Sequence, residues 1–232
     1  MRVSLLPSPS TTAKLFGIGA TVGPLVDSLH NQSLLTYRIA PITVEWPMGA
    51  PQFLLQHQDH LFCSSWLVPP LLGIAYVVLG GILPRLFESV VGSGTPIAAT
   101  TTTDNHYDRK ALLAVLSTAG IILLSDVLVT LTTTGSSEQH VLVLLAVALC
   151  QWAWLDGTLA ALLAASLTSL GGPLSELPFV AAGVWEYLPS VADYVPWNGE
   201  WWALSSITGP CYFAVTMDAI ALGRWLDDES AE

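Results

Sequence analysis

The length, composition and charge of this chain exclude an ordinary soluble domain and a nucleic-acid-binding protein. It has 232 residues, of which 52% are hydrophobic and only 11% are charged, whereas soluble domains carry about 25% charged residues. The formal net charge is −11, and binding to nucleic-acid phosphates needs a basic surface that this sequence lacks. The composition therefore predicts a protein of the lipid bilayer.

Six apolar stretches have the character of membrane spans. A spanning helix needs about 20 mostly apolar residues, within a range of about 17–25. In chain order the predicted spans are residues 13–29, 61–87, 111–131, 140–155, 158–182 and 202–225. We therefore predict an all-α fold in which residues 1–232 form a single membrane domain, a bundle of six transmembrane helices.

Helix-breaking and small residues interrupt two of the predicted spans. Pro69 and Pro70 lie near the start of the second, and residues 171–173 place two glycines and a proline inside the fifth. Membrane helices tolerate such residues because neighbouring helices and hydroxyl side chains satisfy the freed backbone groups. Prolines and small residues should also leave space between neighbouring helices. These positions therefore predict a mostly apolar cavity, with its polar end near Gln139.

Lysine and arginine residues lie almost entirely on one side of this predicted domain. The side that holds both termini carries six of the seven: Arg2, Lys14, Arg85, Arg109, Lys110 and Arg224. The opposite side carries Arg38. Because positively charged loops stay in the cytoplasm, we expect both termini to be cytoplasmic.

Carboxyl side chains fall within or beside the predicted spans. Asp27, Asp126, Glu176 and Asp218 lie in or near spans, and Asp156 ends the fourth. A charge in a span costs about 2.5–3.5 kcal/mol on insertion scales, and we expect no Lys or Arg at matching depth to pair with these acids. They should face one another, hydroxyls, water or a lipid headgroup. Interfacial acids that simply reach water are the alternative.

The sequence has no pattern typical of an enzyme, a metal site or a cofactor site. The H-E-x-x-H and G-x-S-x-G motifs and a glycine-rich phosphate loop are absent, so we predict no catalytic residues. The H-Q-D-H stretch at residues 57–60 has no further ligand nearby, which favours a solvated loop over a metal site. Cys63, Cys150 and Cys211 lack metal-ligand spacing and are expected to be small core residues.

Three stretches resemble the Insig (insulin-induced gene) proteins. Residues 63–70, CSSWLVPP, resemble the S-S-x-W-x-V-P-P element that opens the second span of that family. Residues 139–156 resemble its fourth span, which begins with Gln and ends in an aromatic motif before Asp, and residues 210–224 resemble its P-C-x-F-F…G-R ending. The resemblance extends over residues 13–226, and the first span is more similar to a plant or algal branch.

The resemblance implies a non-enzymatic regulator of sterol homeostasis and cholesterol metabolism in the endoplasmic reticulum, with a plastid membrane as the other location. It implies a bound sterol or diacylglycerol-like lipid rather than a cofactor. The implied partners are membrane lipids and membrane proteins with sterol-sensing domains. A small transporter or channel that uses the buried carboxylates is the main alternative, followed by an intramembrane lipid enzyme. The absence of internal repeats and catalytic motifs argues against both.

The predicted site residues follow from the buried polar groups and the resemblance. The predicted lipid-binding residues are Gln139, Cys150, Trp152 and Asp126, and the predicted partner-binding residues are Asp156 and Asp218. The resemblance implies that Gln139 lies near the sterol and that Asp156 is needed for partner binding. Asp156 is also placed to cap the following helix, since Asp is a favoured N-cap. The basic residues that follow the aspartate in animal proteins are replaced here by residues 157–159.

Overall fold

The computed structural model describes residues 5–48, 59–92, 107–131, 136–194 and 203–229. The helices in these ranges are α1 (Pro9–Leu34), α2 (Val68–Val91), α3 (Tyr107–Leu131), α4 (Ser137–Leu155), α5 (Leu159–Ser175), the short α6 (Leu177–Ala181) and α7 (Thr208–Glu229). The strands are β1 (Leu35–Tyr37), β2 (Pro41–Val44), β3 (Phe62–Ser65) and β4 (Trp185–Tyr187). The predicted all-α architecture is confirmed, with two short strand pairs added to it.

Local sequence sets the starts of three helices. The hydroxyl of Ser8 accepts a hydrogen bond from the backbone N–H of Thr11 at 3.0 Å, and Pro9 follows it as the first residue of α1. A capping box begins α4, and the hydroxyl of Thr158 accepts from the backbone N–H of Ala161 at 3.2 Å to begin α5. Each cap satisfies an N–H group that has no partner within its own helix.

Helix α7 is the central helix of the bundle. It contacts α1, α2, α3, α4 and α5. Its side chains Phe213, Ala214, Met217 and Ile220 are at most 1% exposed. All the other long helices therefore pack against α7, which contributes residues to each of the three hydrophobic clusters in the described chain.

Helices α1, α2 and α7 approach each other closely through glycine. Helix α2 contains a π-helical turn, Val77–Ile82, and an added Cβ at Gly80 in this turn would collide with the backbone carbonyl of Ala219 in α7. An added Cβ at Gly19 in α1 would lie 2.5 Å from the carbonyl oxygen of Leu72 in α2. Backbone-to-backbone packing of this kind is typical of small residues between membrane helices.

Strands β1, β2 and β3 lie between α1 and α2 in the chain and β4 follows α6, and both strand pairs lie at the end of the bundle that holds the C-terminal end of α1. Strand β1 pairs antiparallel with β4, and β2 pairs antiparallel with β3. The side-chain amide of Asn31 in α1 donates to the carbonyl of Cys63 in β3 at 2.5 Å. The ribbons are thereby fixed to the end of the helix bundle.

The helix bounds differ from the predicted spans by a few residues at most helix ends, and three of the differences have a clear physical or structural basis. Helix α2 begins at Val68 rather than near Leu61, because residues 62–65 form β3 and two prolines fit only the first turn of a helix. The predicted fifth span is divided at Glu176 into α5 and α6, after Pro173. The last helix begins at Thr208 rather than at residue 202, which lies outside the described residues.

Three helices within the described ranges are long and apolar enough to cross a membrane. They are Val68–Val91, Arg109–Thr130 and Ser137–Leu155. Helices α1, α5 and α7 carry more polar or small side chains, and α7 is largely enclosed by the others. The number of helices that cross the bilayer therefore stays a prediction.

Candidate functional site

A cavity of about 230 Å³ lies between α1, α2, α3, α5, α6, β4 and α7. Most of its wall is apolar, and Val26, Leu71, Leu72, Ala75 and Val215 contribute to it. Its polar groups are centred on two carboxyl side chains, one from α1 and one from the junction of α5 and α6. An apolar wall with a few convergent polar groups is the usual composition of a small-molecule site.

Glu176 is the carboxyl group at the junction of α5 and α6. One of its oxygens accepts from the indole N–H of Trp185 at 3.2 Å and from the hydroxyl of Tyr187 at 2.5 Å. The other accepts from the hydroxyl of Tyr212 at 2.8 Å. Burial, reinforced by the nearby Glu176 carboxylate, raises the pKa of Tyr187 well above its usual value. The phenol of Tyr187 therefore stays protonated and continues to donate.

Asp27 is the carboxyl group that α1 contributes. Its Oδ2 atom accepts from the hydroxyl of Tyr37 at 3.2 Å and from the amide of Asn31 at 3.5 Å. The Nε2 atom of His30 lies 3.7 Å from Oδ1, and the Nδ1 atom of His30 lies 2.7 Å from the hydroxyl oxygen of Ser125 in α3. The side chain of Asp27 is 33% exposed, whereas Glu176 is buried. Asp27 is thus the more accessible of the two carboxyl groups in the cavity wall.

The four residues predicted to bind lipid do not line this cavity. Gln139 is exposed, and its side-chain oxygen accepts from the backbone N–H of Ser136 at 3.3 Å as part of the capping box. Cys150 is exposed on α4, Trp152 donates its indole N–H to the carbonyl of Thr158 at 3.0 Å, and Asp126 is buried on α3. The polar groups of this cavity are therefore those around Asp27 and Glu176, and Gln139 is not among its lining residues. A lipid-binding role for the four residues stays a prediction.

Asp156 has partners within the chain. Its Oδ2 atom lies 2.6 Å from the guanidinium of Arg224 in α7, so the expectation that no arginine reaches these acids is wrong here. Its Oδ1 atom accepts from the backbone N–H of Thr158 at 3.0 Å. Thr158, rather than Asp156, is the N-cap of α5. Arg224 also donates to Glu88 of α2 at 3.1 Å. Asp156 therefore links the α4–α5 turn to α7, and through Arg224 to α2.

Asp218 lies inside the bundle. Its side chain is fully buried, and its Oδ2 atom accepts from the hydroxyl of Tyr76 in α2 at 2.6 Å. No hydrogen-bond partner of its Oδ1 atom is found in the described part of the chain. The predicted role of Asp218 in partner binding stays untested, and its position gives a partner no direct access to it.

The structure adds cavity residues that the sequence did not indicate. Tyr37, Tyr187 and Tyr212 come from β1, β4 and α7, and they meet only in the folded chain. Nothing in the sequence around His30 marked it as a site residue. The acidic residues in the predicted spans did indicate a polar site, because a buried carboxyl group requires hydrogen-bond donors nearby.

The predicted cysteine and metal features have mixed outcomes. All three cysteines are free of disulfide bonds, but Cys150 is exposed rather than in the core. Residue 57 lies outside the described residues, so the H-Q-D-H stretch is described only in part. Within the described ranges no cluster of three or more His, Cys, Asp or Glu side chains could hold a metal ion.

Comparison with known proteins places this architecture among polytopic helical membrane proteins. No protein-family model matches the chain, and no curated protein matches it. The crystal structure of a mycobacterial Insig homologue, MvINS from Mycobacterium vanbaalenii, matches with a TM-score of 0.61 and 20% identity, covering 96% of this chain and 95% of that chain. A cross-linked MvINS trimer with an arginine-to-cysteine substitution matches with a TM-score of 0.61 and 19% identity, covering 97% and 96%.

Because these matches extend over nearly the whole of both chains, this protein has an Insig-like fold. With the three described helices that are long and apolar enough to cross a bilayer, the fold is that of an integral membrane protein. Identity at this level shows the fold alone. The plant or algal branch suggested by the first span stays a prediction.

Proposed function

We propose that this chain is a non-enzymatic, lipid-binding regulatory protein of the Insig type, which takes a sterol or a diacylglycerol-like lipid into the cavity around Asp27 and Glu176. The observation that carries the proposal is the cavity itself, apolar over most of its wall and lined by a few fixed polar side chains. A lipid has the matching pattern of a long apolar part and a small polar head.

The cavity is sized for part of a lipid. Its volume of about 230 Å³ is below the roughly 300–1,000 Å³ of typical small-molecule pockets. It suits a headgroup with the first part of its chain or ring system, while the rest of the lipid stays among the helices or in the bilayer. Such a ligand would contact α1, α2 and α7 together, so its binding would stabilise one arrangement of these helices.

Regulation through a membrane partner is the second part of the proposal. The Insig-like fold supports a sterol-sensing membrane protein as that partner, in the membrane of the endoplasmic reticulum. Co-expression with a protein that carries a sterol-sensing domain should give co-purification that changes when sterol is depleted. Co-purification that does not depend on sterol would contradict a ligand-controlled contact.

A photoreactive lipid tests the binding step. Wild-type protein in lipid nanodiscs should be labelled at cavity residues by a photoreactive sterol or diacylglycerol, and Ala75→Phe should reduce the labelling because it fills the cavity. Ala146→Phe is the matched control, since Ala146 is exposed on α4 and outside the cavity. Equal labelling of both variants would show that the lipid binds elsewhere.

A further inference from the structure

We propose that Cys211 is a nucleophile in the cavity wall and forms a covalent adduct with lipids that carry an α,β-unsaturated carbonyl group. The inference goes beyond the proposed regulatory function, and it rests on that function only in requiring that a lipid enters the cavity. It follows from the position of Cys211 beside His30 and Asp27, two residues that can take up the thiol proton and stabilise the charge that results.

Cys211 lines the cavity from the beginning of α7 and is only 4% exposed. It packs against Val26 of α1 and Ile122 of α3, and its thiol lies beside the imidazole ring of His30. A cysteine buried among apolar groups alone is inert, whereas a cysteine next to a histidine is a common nucleophile. Cys211 therefore combines a basic neighbour with a position that only a molecule inside the cavity can reach.

The hydrogen bonds around His30 show which of its ring nitrogens can accept the thiol proton. The hydroxyl of Ser125 donates to the carbonyl of Ile122 at 2.7 Å. The Nδ1 atom of His30 lies 2.7 Å from the same hydroxyl oxygen, so Nδ1 carries a hydrogen and donates it to Ser125. In a neutral ring the lone pair is then on Nε2, and this nitrogen is the base for the thiol.

Asp27 supplies the negative charge opposite that base. Its Oδ1 atom lies 3.7 Å from the Nε2 atom of His30, whereas Tyr37 and Asn31 both donate to Oδ2. When the thiol proton moves to Nε2, the imidazolium that forms faces this carboxylate, which stabilises its positive charge. Cysteine, histidine and aspartate thus meet in one apolar cavity, although they come from α1 and α7.

Addition of the thiol to a conjugated carbonyl needs no other reactant. The sulfur of Cys211 bonds to the β-carbon, the carbon–carbon π bond opens, and its electron pair moves toward the carbonyl oxygen as an enolate. His30 then returns the thiol proton to the α-carbon. Sulfur is a polarizable nucleophile suited to such carbons. Because most of the cavity wall is apolar, the reactant is a long-chain aldehyde or ketone of the kind that forms when unsaturated lipids are oxidised.

The other cysteines provide an internal control. Cys150 is exposed on α4 and does not line the cavity, so accessibility alone would make it the faster of the two thiols. Full-length protein in phosphatidylcholine nanodiscs is treated with trans-2-hexadecenal, reduced with borohydride, digested and analysed by mass spectrometry over time. Cys211 should form the adduct roughly tenfold or more faster than Cys150, and the saturated aldehyde hexadecanal should give no adduct. A rate at Cys150 equal to or above that at Cys211 overturns the proposal.

His30→Asn tests the role of the imidazole. The asparagine amide can still donate to Ser125, but it has no basic nitrogen. At saturating hexadecenal the rate at Cys211 should fall by roughly tenfold or more, since a general base contributes about 10²–10⁴-fold, while the rate at Cys150 in the same sample stays unchanged. An unaltered rate at Cys211 overturns the proposal. If the melting temperature shows that His30→Asn does not fold, the ratio of the two rates in wild-type protein decides.

This inference and the proposed function can fail separately. Cavity labelling by the photoreactive sterol or diacylglycerol, together with an unreactive Cys211, overturns this inference alone. An adduct at Cys211 that Ala75→Phe prevents by filling the cavity, without any such labelling, supports the inference and overturns the ligand of the proposed function.

Discussion

Glu176 joins three parts of the chain through one carboxyl group. Its donors are Trp185 and Tyr187 on β4 and Tyr212 on α7. A carboxylate accepts hydrogen bonds on both oxygens. It can therefore satisfy three N–H and O–H donors better than a neutral side chain of similar size can. These hydrogen bonds hold Glu176 in the cavity wall, and they also connect β4 and α7 to the junction of α5 and α6.

Glu176→Gln should lower the free energy of unfolding by about 3 kcal/mol, because hydrogen bonds to a charged group contribute roughly 1.5–3 kcal/mol each and an amide would oppose one donor with another. The measurement is unfolding of the purified protein in detergent. Glu186→Gln is the control, on the strand β4 that supplies two of the three donors to Glu176; the ion pair of Glu186 with Arg38 is exposed and contributes at most about 1 kcal/mol. Equal effects of the two substitutions would contradict a buried network at Glu176.

Asp156 and Arg224 should be coupled in the isolated protein. Their side chains lie 2.6 Å apart, with Asp156 3% exposed and Arg224 36% exposed. Asp156→Ala and Arg224→Ala should each lower stability, and the double variant should lose less than the sum, with a coupling of roughly 1–2 kcal/mol. A double-mutant cycle by unfolding without any partner measures this. Additive effects would instead favour a role for Asp156 toward another protein.

At the scale of elements, the contact between α2 and α7 depends on having no side chain at Gly80. Gly80→Ala should lower the free energy of unfolding by about 1–3 kcal/mol or more, because its Cβ would press on the backbone of Ala219. Gly120→Ala on α3 meets no atom within 4 Å and should be neutral or stabilising by up to about 1 kcal/mol. The test compares the melting temperatures of the two variants. A Gly80→Ala variant that melts at the wild-type temperature would contradict the close contact between α2 and α7.

Hydropathy was sufficient to locate the helices, because long apolar segments leave few other structures open in a bilayer. It could not separate β3 from the second span, since the short apolar run at residues 61–63 fits a strand or a helix equally well. The pairing of Asp156 with Arg224 and the meeting of Tyr37, Tyr187 and Tyr212 join residues far apart in sequence. No local pattern encodes such contacts, so the cavity required the folded chain.

At the scale of the whole molecule, the start of α1 meets the end of α7. The hydroxyl of Thr11 near the start of α1 donates to Asp227 near the end of α7 at 3.1 Å, and Arg85 of α2 donates to the same carboxyl group. The N-terminal end of α1 and the C-terminal end of α7 therefore lie at one end of the bundle. This end also holds Arg224, as expected from the placement of the basic residues.

Reporter tags at the two termini should be equally accessible from the cytoplasm in selectively permeabilised cells. The lysine and arginine bias sets the orientation, and the contact between Thr11 and Asp227 places both ends on one side. A tag on the loop that contains Arg38 should be protected in the same cells. Protection of one terminus alone would contradict the bundle as described.

The most direct test of the account is to extract the protein from its native membrane and identify the lipids that remain bound by mass spectrometry. We expect wild-type protein and Ala146→Phe to retain a sterol or a diacylglycerol-like lipid, enriched over the bulk membrane. Ala75→Phe should lose it, because the substitution fills the cavity. Identical lipid content in wild-type protein and Ala75→Phe would contradict the claim that this cavity is the lipid site.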